Sequence, residues 1–270
     1  MTFLQAIALG IIQGVTEFLP VSSSGHLVLF QNLLGLKNPE LAFDVAVHMG
    51  TLAAVCIYFR NDIAAISIQT GKWLFNSPWR SRQATPSEVR MAGLVLAGSI
   101  PTAIMGIGFH GIADRLFSSV LLVGFMLIVT GFWMWFTRYK QEPDLSNSAP
   151  GTGSALLIGI AQGMAIIPGI SRAGATIAAA LYLGIDRSTA ARFSFLLSIP
   201  AIAGAALLNV IDAPAGGSAL LPVILAGAAA AAATGYAALS LLVYLVKKGK
   251  LAFFAPYCWL VGGLIVILAW

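Results

Sequence analysis

Charged residues are scarce in this sequence, and their scarcity excludes an ordinary soluble fold. Only 9% of the 270 residues are charged and 59% are hydrophobic, whereas soluble domains carry about 25% charged residues. The mean hydropathy is +0.89. The alternating pattern of outer-membrane barrel strands is also missing. The composition therefore indicates an integral membrane protein that is built from helices.

Cysteines and signal-peptide features are equally sparse. Cys56 and Cys258 lie inside apolar runs, so we expect buried free thiols and no disulfide or metal site. No basic segment precedes the first apolar run, and no small-residue cleavage site precedes Glu17; we therefore expect the mature chain to start at Met1. The net charge of +5 comes from residues scattered over loops, which favours contact with anionic lipid over a nucleic-acid site.

Six apolar runs approach the roughly 20 helical residues that are needed to cross a bilayer. They lie at about 43–60, 89–109, 118–137, 190–210, 219–246 and 251–269. Two shorter pieces, 3–18 and 26–36, flank a polar break and predict a re-entrant hairpin. A kinked span is the alternative, but it would leave Glu17 and three serines facing lipid. Residues 63–75 are too short to cross, and we expect them to lie along the surface.

The hairpin pattern returns at an offset of 149 residues. The matched positions are polar or turn-forming: Gln13 with Gln162, Gly14 with Gly163, Ser22 with Ser171, Gly25 with Gly174, and Gly35 with Gly184. We interpret this as an internal repeat within one membrane domain, with halves at about 1–137 and 154–270 and a linker at 138–153. Each half holds one hairpin and three spans, so the second half starts on the opposite face. The predicted fold class is an all-α polytopic membrane protein, with six full transmembrane helices and two re-entrant helical hairpins in an inverted repeat.

Basic residues collect on one face of this topology. Twelve lie there: Arg60, Lys72, Arg80, Arg82, Arg90, Arg138, Lys140, Arg187, Arg192, Lys247, Lys248 and Lys250. The other face receives only Lys37 and Arg115. The positive-inside rule makes the richer face cytoplasmic. Both termini then lie outside, the first hairpin enters from outside, and the second enters from the cytoplasm.

The two hairpin tips hold most of the polar chemistry. An arginine that faces lipid is unfavourable, so we expect the tips to meet and Arg172 to face Glu17 or an anionic ligand. The second half-helix of each hairpin starts after a Ser-x-x-Gly turn. The positive N-terminal ends of these two helices therefore point at the break, where they favour the binding of an anion such as phosphate. A serine hydroxyl or water would attack, while His26 and Glu17 would transfer protons or hold a divalent ion. A purely structural Glu17–Arg172 pair is the alternative, but it leaves His26 and the hydroxyls unexplained.

These motifs resemble a known family. Residues 13–26 read Gln-Gly-Val-Thr-Glu-Phe-Leu-Pro-Val-Ser-Ser-Ser-Gly-His, 168–172 read Pro-Gly-Ile-Ser-Arg, and 174–176 read Gly-Ala-Thr. Together they resemble undecaprenyl pyrophosphate phosphatase, the bacterial family also called bacitracin-resistance protein, and the similarity extends to 43–45 and 193–197. The resemblance implies hydrolysis of the terminal phosphate of C55 undecaprenyl pyrophosphate, which recycles the lipid carrier for peptidoglycan and other cell-wall polymers and confers bacitracin resistance. It also implies the bacterial cytoplasmic membrane and a site open to the periplasmic or outer face.

The resemblance also implies residue roles. The catalytic positions are Glu17, Ser23, His26 and Arg172. The substrate-binding positions are Gln13, Ser22, Ser24, Gly25, Ser171, Gly174 and Thr176. The family's acidic motif falls on Gln13 and Glu17, which implies a divalent cation, Mg²⁺ or Ca²⁺, with Glu17 as a ligand. Ala173 stands where the family usually has serine, so that hydroxyl is absent or its role falls to Ser171 or Thr176.

Several alternatives stay open at this level. A transporter or lipid flippase would also have inverted repeats and broken helices. The type 2 phosphatidic acid phosphatases are excluded, because they need a histidine six positions after their arginine, where this chain has Ala178. The nucleophile is Ser23, His26 or water, and the oligomeric state is open, a homodimer included. Asp44 matches an acidic family position, and His48 and His110 are interpreted as interfacial residues. The many Gly and Ala in 201–234 predict close helix packing.

Overall fold

A computed structural model describes residues 1–36, 41–75, 85–111, 116, 119–140, 150–212 and 221–269, and every regular element in that part of the chain is helical. The α-helices are α1 (Phe3–Phe18), α2 (Ser23–Leu33), α3 (Leu41–Tyr58), α4 (Arg60–Phe75), α5 (Ser87–His110), α6 (Val120–Trp135), α7 (Thr152–Met164), α8 (Arg172–Tyr182), α9 (Arg187–Asp212), α10 (Leu221–Lys247) and α11 (Ala255–Ala269). Short 3₁₀ helices cover Phe136–Tyr139 and Leu251–Phe254. Lys37, Arg80, Arg82, Arg115 and linker residues 141–149 lie outside the described residues.

Five helical segments in the described ranges are long and apolar enough to cross a membrane, or six if α3 and α4 form one bent span. The five are Ser87–Phe109, Val120–Tyr139, Arg187–Leu208, Leu221–Lys247 and Leu251–Ala269. The expectation of an all-helical, polytopic membrane protein is thereby confirmed. The axis of α4 turns by 74° from that of α3, and none of the α4 residues is buried.

Both hairpin breaks have local causes. Thr2 and Gln5 form a capping box that starts α1. Pro20 then ends it, because a residue that precedes proline disfavours the helical region, and Leu19 is accordingly extended. At 1.5 Å per residue, the 16 residues of α1 extend about 24 Å, short of the roughly 30 Å hydrocarbon core. In the second break Gly169 adopts a φ of 97° between α7 and α8.

The first helix of each break crosses a long helix from the other half of the chain at a glycine. A Cβ on Gly10 of α1 would lie 2.2 Å from the carbonyl oxygen of Gly227 in α10. A Cβ on Gly159 of α7 would lie 2.0 Å from the carbonyl oxygen of Gly98 in α5. Glycine lets the backbones approach this closely. The expectation of close helix packing within 201–234 is confirmed at Gly227.

Aromatic packing fixes the end of α1 in the core. Phe18 is fully buried, and its ring lies edge-on to Phe195 of α9 at a centroid distance of 5.9 Å. The ring of Phe59 packs on that of Phe195 as well, at a centroid distance of 6.0 Å. Because Phe18 follows Glu17 directly, this packing anchors the chain next to Glu17.

Candidate active site

Glu17 and Arg172 join the two hairpin tips. Nη2 of Arg172, the first residue of α8, lies 2.5 Å from Oε1 of Glu17 near the end of α1. The side chains are only 16% and 6% exposed. The two charges therefore compensate each other away from solvent, and the predicted meeting of the tips is confirmed.

The second carboxylate oxygen of Glu17 accepts two hydrogen bonds. Ser23 donates its hydroxyl to Oε2 at 2.5 Å, and Gln13 donates through Nε2 at 2.9 Å. Gln13 lies one helical turn before Glu17 on α1, so helix geometry brings the two side chains together. Ser23 reaches the carboxylate from the first position of α2. The acid therefore touches the guanidinium on one side and a hydroxyl on the other.

The guanidinium of Arg172 also has an unused donor. Its Nη1 is buried and has no hydrogen-bond partner among the described residues. The same residue opens α8, whose N-terminus is capped by Ser171 Oγ, which accepts from the backbone N–H of Gly174 at 3.2 Å. A helix start and a guanidinium with a spare N–H group form the donor set that binds phosphate.

Backbone contacts lock the two tips together. Ser22 adopts a φ of 67°, which for a serine costs about 1–3 kcal/mol. In this conformation its Oγ accepts the N–H of Gly169 from the second tip at 3.1 Å. Thr130 of α6 braces that tip, since its hydroxyl donates to the Gly169 carbonyl at 3.0 Å and accepts from the Ser171 N–H at 3.2 Å. Thr130 was not predicted from the sequence, because nothing in an apolar helix marks which threonine contacts a distant turn.

Both ring nitrogens of His26 are engaged away from Ser23. Nδ1 lies 2.9 Å from the Ser22 carbonyl oxygen, and Nε2 lies 2.7 Å from the hydroxyl of Tyr257 on α11. His26 is 5% exposed. It therefore belongs to the first tip as expected, but Tyr257, which the sequence did not single out, is its main side-chain partner.

His48 lies closer to the site than its interpretation as an interfacial residue suggested. Its Nε2 is 3.9 Å from Glu17 Oε2, and its Nδ1 lies 2.7 Å from the Asp44 carbonyl oxygen. Asp44 also accepts a hydrogen bond from Gln31 at 2.8 Å. His48 therefore brings an imidazole next to the acid. The side chain of His110 lies outside the described part.

The remaining predicted binding residues build the tips. Ser24 shares a hydrogen bond with Ser22 at 3.3 Å. Gly25 packs beneath Val123, which lies 2.9 Å from where a Cβ would be, and Gly174 packs on Pro20 at 3.2 Å. Thr176 is buried and donates its hydroxyl to the Arg172 carbonyl at 2.9 Å. Its hydroxyl is therefore bonded within its own helix, as is common for threonine.

The oxygen donors at the first tip are suited to a hard cation. No group of three or more His, Cys, Asp or Glu side chains is placed to hold a metal within the ranges that the structure describes. Gln13 Oε1 is nevertheless buried with no hydrogen-bond partner there, next to the Glu17 carboxylate. Mg²⁺ is commonly held by one or two carboxylates together with substrate phosphates. The residues therefore fit a cation that is shared with a phosphate, and not a cage made of protein alone.

The chain is similar to known proteins along most of its length. A family model described as "Bacitracin resistance protein BacA" matches residues 6–264. A protein of Desulfatibacillum aliphaticivorans named undecaprenyl-diphosphatase is 48% identical over 276 residues, covering 99% of both chains. Proteins with the same name from Desulfosudis oleivorans and Methanosphaera stadtmanae are 49% and 40% identical and cover 96% and 100% of this chain, and 96% and 99% of their own length.

These matches run along nearly the whole chain and include both tips. The resemblance expected from the motifs at 13–26 and 168–172 is thereby confirmed. This chain belongs to the bacitracin resistance protein BacA family.

Proposed function

We propose that this chain hydrolyses undecaprenyl pyrophosphate to undecaprenyl phosphate and inorganic phosphate, as the name of its relatives states for them. One observation carries the proposal: Ser23 Oγ lies 2.5 Å from a carboxylate oxygen of Glu17, whose other oxygen pairs with Arg172. A hydroxyl, a base and an anion-binding group thus meet at one point. Such a trio serves phosphoryl transfer, and a transporter has less need of it.

Arg172 is the proposed phosphate ligand. Its unpartnered Nη1 and the N-terminus of α8 would bind the oxygens of the terminal phosphate. Negative charge then reaches the guanidinium from the substrate as well as from Glu17. The arginine would also offset charge that develops as the bond to phosphorus breaks.

Ser23 is the proposed nucleophile. Its oxygen forms a bond to the terminal phosphorus while its proton passes to Glu17 Oε2, and the bridging P–O bond breaks with its electron pair leaving on undecaprenyl phosphate. Water then cleaves the resulting serine phosphate and releases inorganic phosphate. His26 is less well placed to attack, because both of its nitrogens are bonded to Ser22 and Tyr257; its proposed role is proton transfer, which it shares with Glu17. Direct attack by water gives the same products and would leave no phosphorylated Ser23.

We further propose that a divalent cation, Mg²⁺ or Ca²⁺, binds at Glu17 and Gln13. The buried, unpartnered Gln13 Oε1 supports this assignment. When bound, the cation would neutralise part of the phosphate charge. Gln13 and Glu17 would hold it through their side-chain oxygens.

The proposed topology has six spans, two re-entrant hairpins and inverted halves. The equivalent packing of Gly10 on α10 and Gly159 on α5 supports it, because these glycines are 149 residues apart. The first proposed span, 43–60, falls largely on α3, and the 74° bend that follows it supports a surface position for 63–75. We place the chain in the bacterial cytoplasmic membrane, oriented by the asymmetry of its basic residues. The resemblance to the family further implies a site that is open to the periplasmic or outer face.

A phosphate-release assay on the purified protein with C55 pyrophosphate tests the proposal. Removing the base or the arginine should lower the rate by at least about 100-fold, in Glu17→Ala and in Arg172→Ala. Ser198→Ala is the control, because this buried hydroxyl bonds only within α9, to the Phe195 carbonyl. A wild-type protein that releases no phosphate, or a Glu17→Ala variant with full activity, would overturn the assignment.

A further inference from the structure

Tyr257 of α11 reaches across the molecule to the first hairpin tip. Its hydroxyl lies 2.7 Å from Nε2 of His26, 231 residues away in sequence. The two rings also stack, with centroids 5.8 Å apart and planes inclined by 16°. The remainder of α11 is almost entirely apolar, so this hydroxyl is the main polar group that the helix brings to the site.

The neighbouring residue anchors this contact. Cys258 is fully buried, and its thiol donates to the carbonyl oxygen of Pro20, within the first tip, at 3.4 Å. Two consecutive residues of α11 therefore bond to the first tip, Cys258 to the turn and Tyr257 to the start of α2. The position of Tyr257 relative to His26 is consequently fixed by the backbone of α11 and does not depend on its side chain alone.

The hydrogen bonds define the tautomer of His26. The Ser22 carbonyl can only accept, so Nδ1 at 2.9 Å from it must carry a proton. Neutral His26 then has its lone pair on Nε2, and Tyr257 donates to it. When His26 is protonated, Nε2 donates and the same tyrosine oxygen accepts. A hydroxyl suits both states because it is both donor and acceptor.

We propose that Tyr257 is a positioning residue for the phosphatase reaction, which rests on the function proposed above. It holds the His26 ring in one orientation, keeps Nε2 as the basic nitrogen, and offers a partner to that nitrogen before and after it takes up a proton. The imidazole can therefore gain and lose a proton without turning. Tyr257 acts through His26 and needs no contact with the substrate.

Tyr257→Phe separates the hydroxyl from the ring, since phenylalanine keeps the stacking on His26. We expect kcat to fall about tenfold, in keeping with the loss of one neutral hydrogen bond, while KM stays within about twofold. Tyr244→Phe is the matched control, because Tyr244 is a half-exposed tyrosine of α10 whose ring neighbours Lys248. An unchanged kcat in Tyr257→Phe would overturn the proposal.

A second measurement reads His26 directly. The chain has three histidines, so ¹⁵N-histidine NMR of the whole protein in lipid nanodiscs is tractable, with the His26 signals assigned by comparison with His48→Gln and His110→Gln. In the wild type we expect protonated Nδ1 and bare Nε2. In Tyr257→Phe the Nε2 resonance should move while Nδ1 stays protonated.

The outcomes separate this proposal from the proposed function. A wild-type His26 protonated at Nε2 and bare at Nδ1 would overturn the proposal without any variant having to fold. A fall in kcat with an unmoved Nε2 resonance would also overturn it, because the tyrosine would then act elsewhere. A wild type that releases no phosphate would refute the function, and the NMR measurement would still decide whether Tyr257 sets the state of His26.

Discussion

The Glu17–Arg172 pair makes a quantitative prediction about stability. Glu17→Gln preserves the side-chain shape and leaves the guanidinium without its carboxylate. Arg172 is only 16% exposed, and removing one partner of a buried pair costs about 3–5 kcal/mol. The bonds from Ser23 and Gln13 also lose their charged acceptor. We expect the free energy of unfolding to fall by about 3 kcal/mol, at the lower end because the arginine keeps some exposure.

A double-mutant cycle isolates the pair. Arg172→Gln alone should destabilise by a similar amount, because it leaves the carboxylate unpaired. The double variant removes both charges, so its loss should be smaller than the sum of the single losses, with a coupling of about 2–3 kcal/mol. Unfolding in mixed detergent micelles, followed by tryptophan fluorescence, measures all four free energies.

Asp62 and Arg192 provide the matched control. They form an ion pair between α4 and α9 at 2.6 Å, with side chains 30% and 38% exposed. A surface pair contributes about 0–1 kcal/mol, so for this partly exposed pair the cycle of Asp62→Asn with Arg192→Gln should give a coupling below about 1 kcal/mol. A Glu17–Arg172 coupling as small as that of the control would refute the account of a buried, charge-compensated pair.

The same variants distinguish a catalytic pair from a structural one. If Glu17 and Arg172 act on the phosphate, the double variant should be as inactive as either single variant, even though its stability is partly recovered. A double variant that regains phosphate release together with stability would assign the pair to the fold alone.

Two further predictions concern the packing around the tips. Gly159→Ala should lower the free energy of unfolding by about 1–3 kcal/mol, because its Cβ would lie 2.0 Å from the Gly98 carbonyl oxygen. Gly93→Ala is the control and should be neutral or stabilising, because nothing lies within 4 Å of its Cβ position. Equal shifts of the unfolding temperature in the two variants would contradict the close crossing of α7 and α5. Thr130→Val should cost about 1–3 kcal/mol by leaving two buried backbone groups of the second tip unsatisfied. Thr137→Val, which loses only a bond within its own chain segment, should cost less; equal losses in urea unfolding would argue against the brace.

The contact between the tips could be predicted because its physical cause is visible in the sequence. An arginine within an apolar segment needs a counter-charge, and Glu17 was the acid that the first tip offered. The boundaries were less accurate: α2 begins at Ser23, three residues before the apolar piece assigned from 26. Ser22 adopts a left-handed conformation, so the chain turns within one residue and the polar break is shorter than its composition suggests.

Contacts between helices that are distant in the sequence could not be predicted from it. Tyr257 and Thr130 lie in apolar spans, and their hydroxyls contact groups 231 and about 40 residues away. No periodicity or motif encodes such a pairing. The role of Thr176 in substrate binding stays a prediction, and its hydroxyl is bonded to the carbonyl of Arg172 one turn earlier. The sequence shows that Thr176 has a polar side chain, but it does not show where the hydroxyl points.

The proposed repeat explains why the site is chemically asymmetric on a symmetric scaffold. At the offset of 149 residues, Glu17 corresponds to Ile166, Ser23 to Arg172 and His26 to Ala175. Two identical halves would bring two acids, or two arginines, to the junction of the tips. Like charges in direct contact repel each other strongly in a medium of low dielectric constant.

The features that the two halves share are structural and not catalytic. Gln13 and Gln162 occupy equivalent positions, yet Gln13 donates to the carboxylate of Glu17, whereas Gln162 donates to Thr102 and to the Leu197 carbonyl. The first copy of the amide therefore supports an acid, and the second satisfies helix contacts. With both halves in one chain, each tip was free to take a different charge, which a dimer of identical halves could not have done.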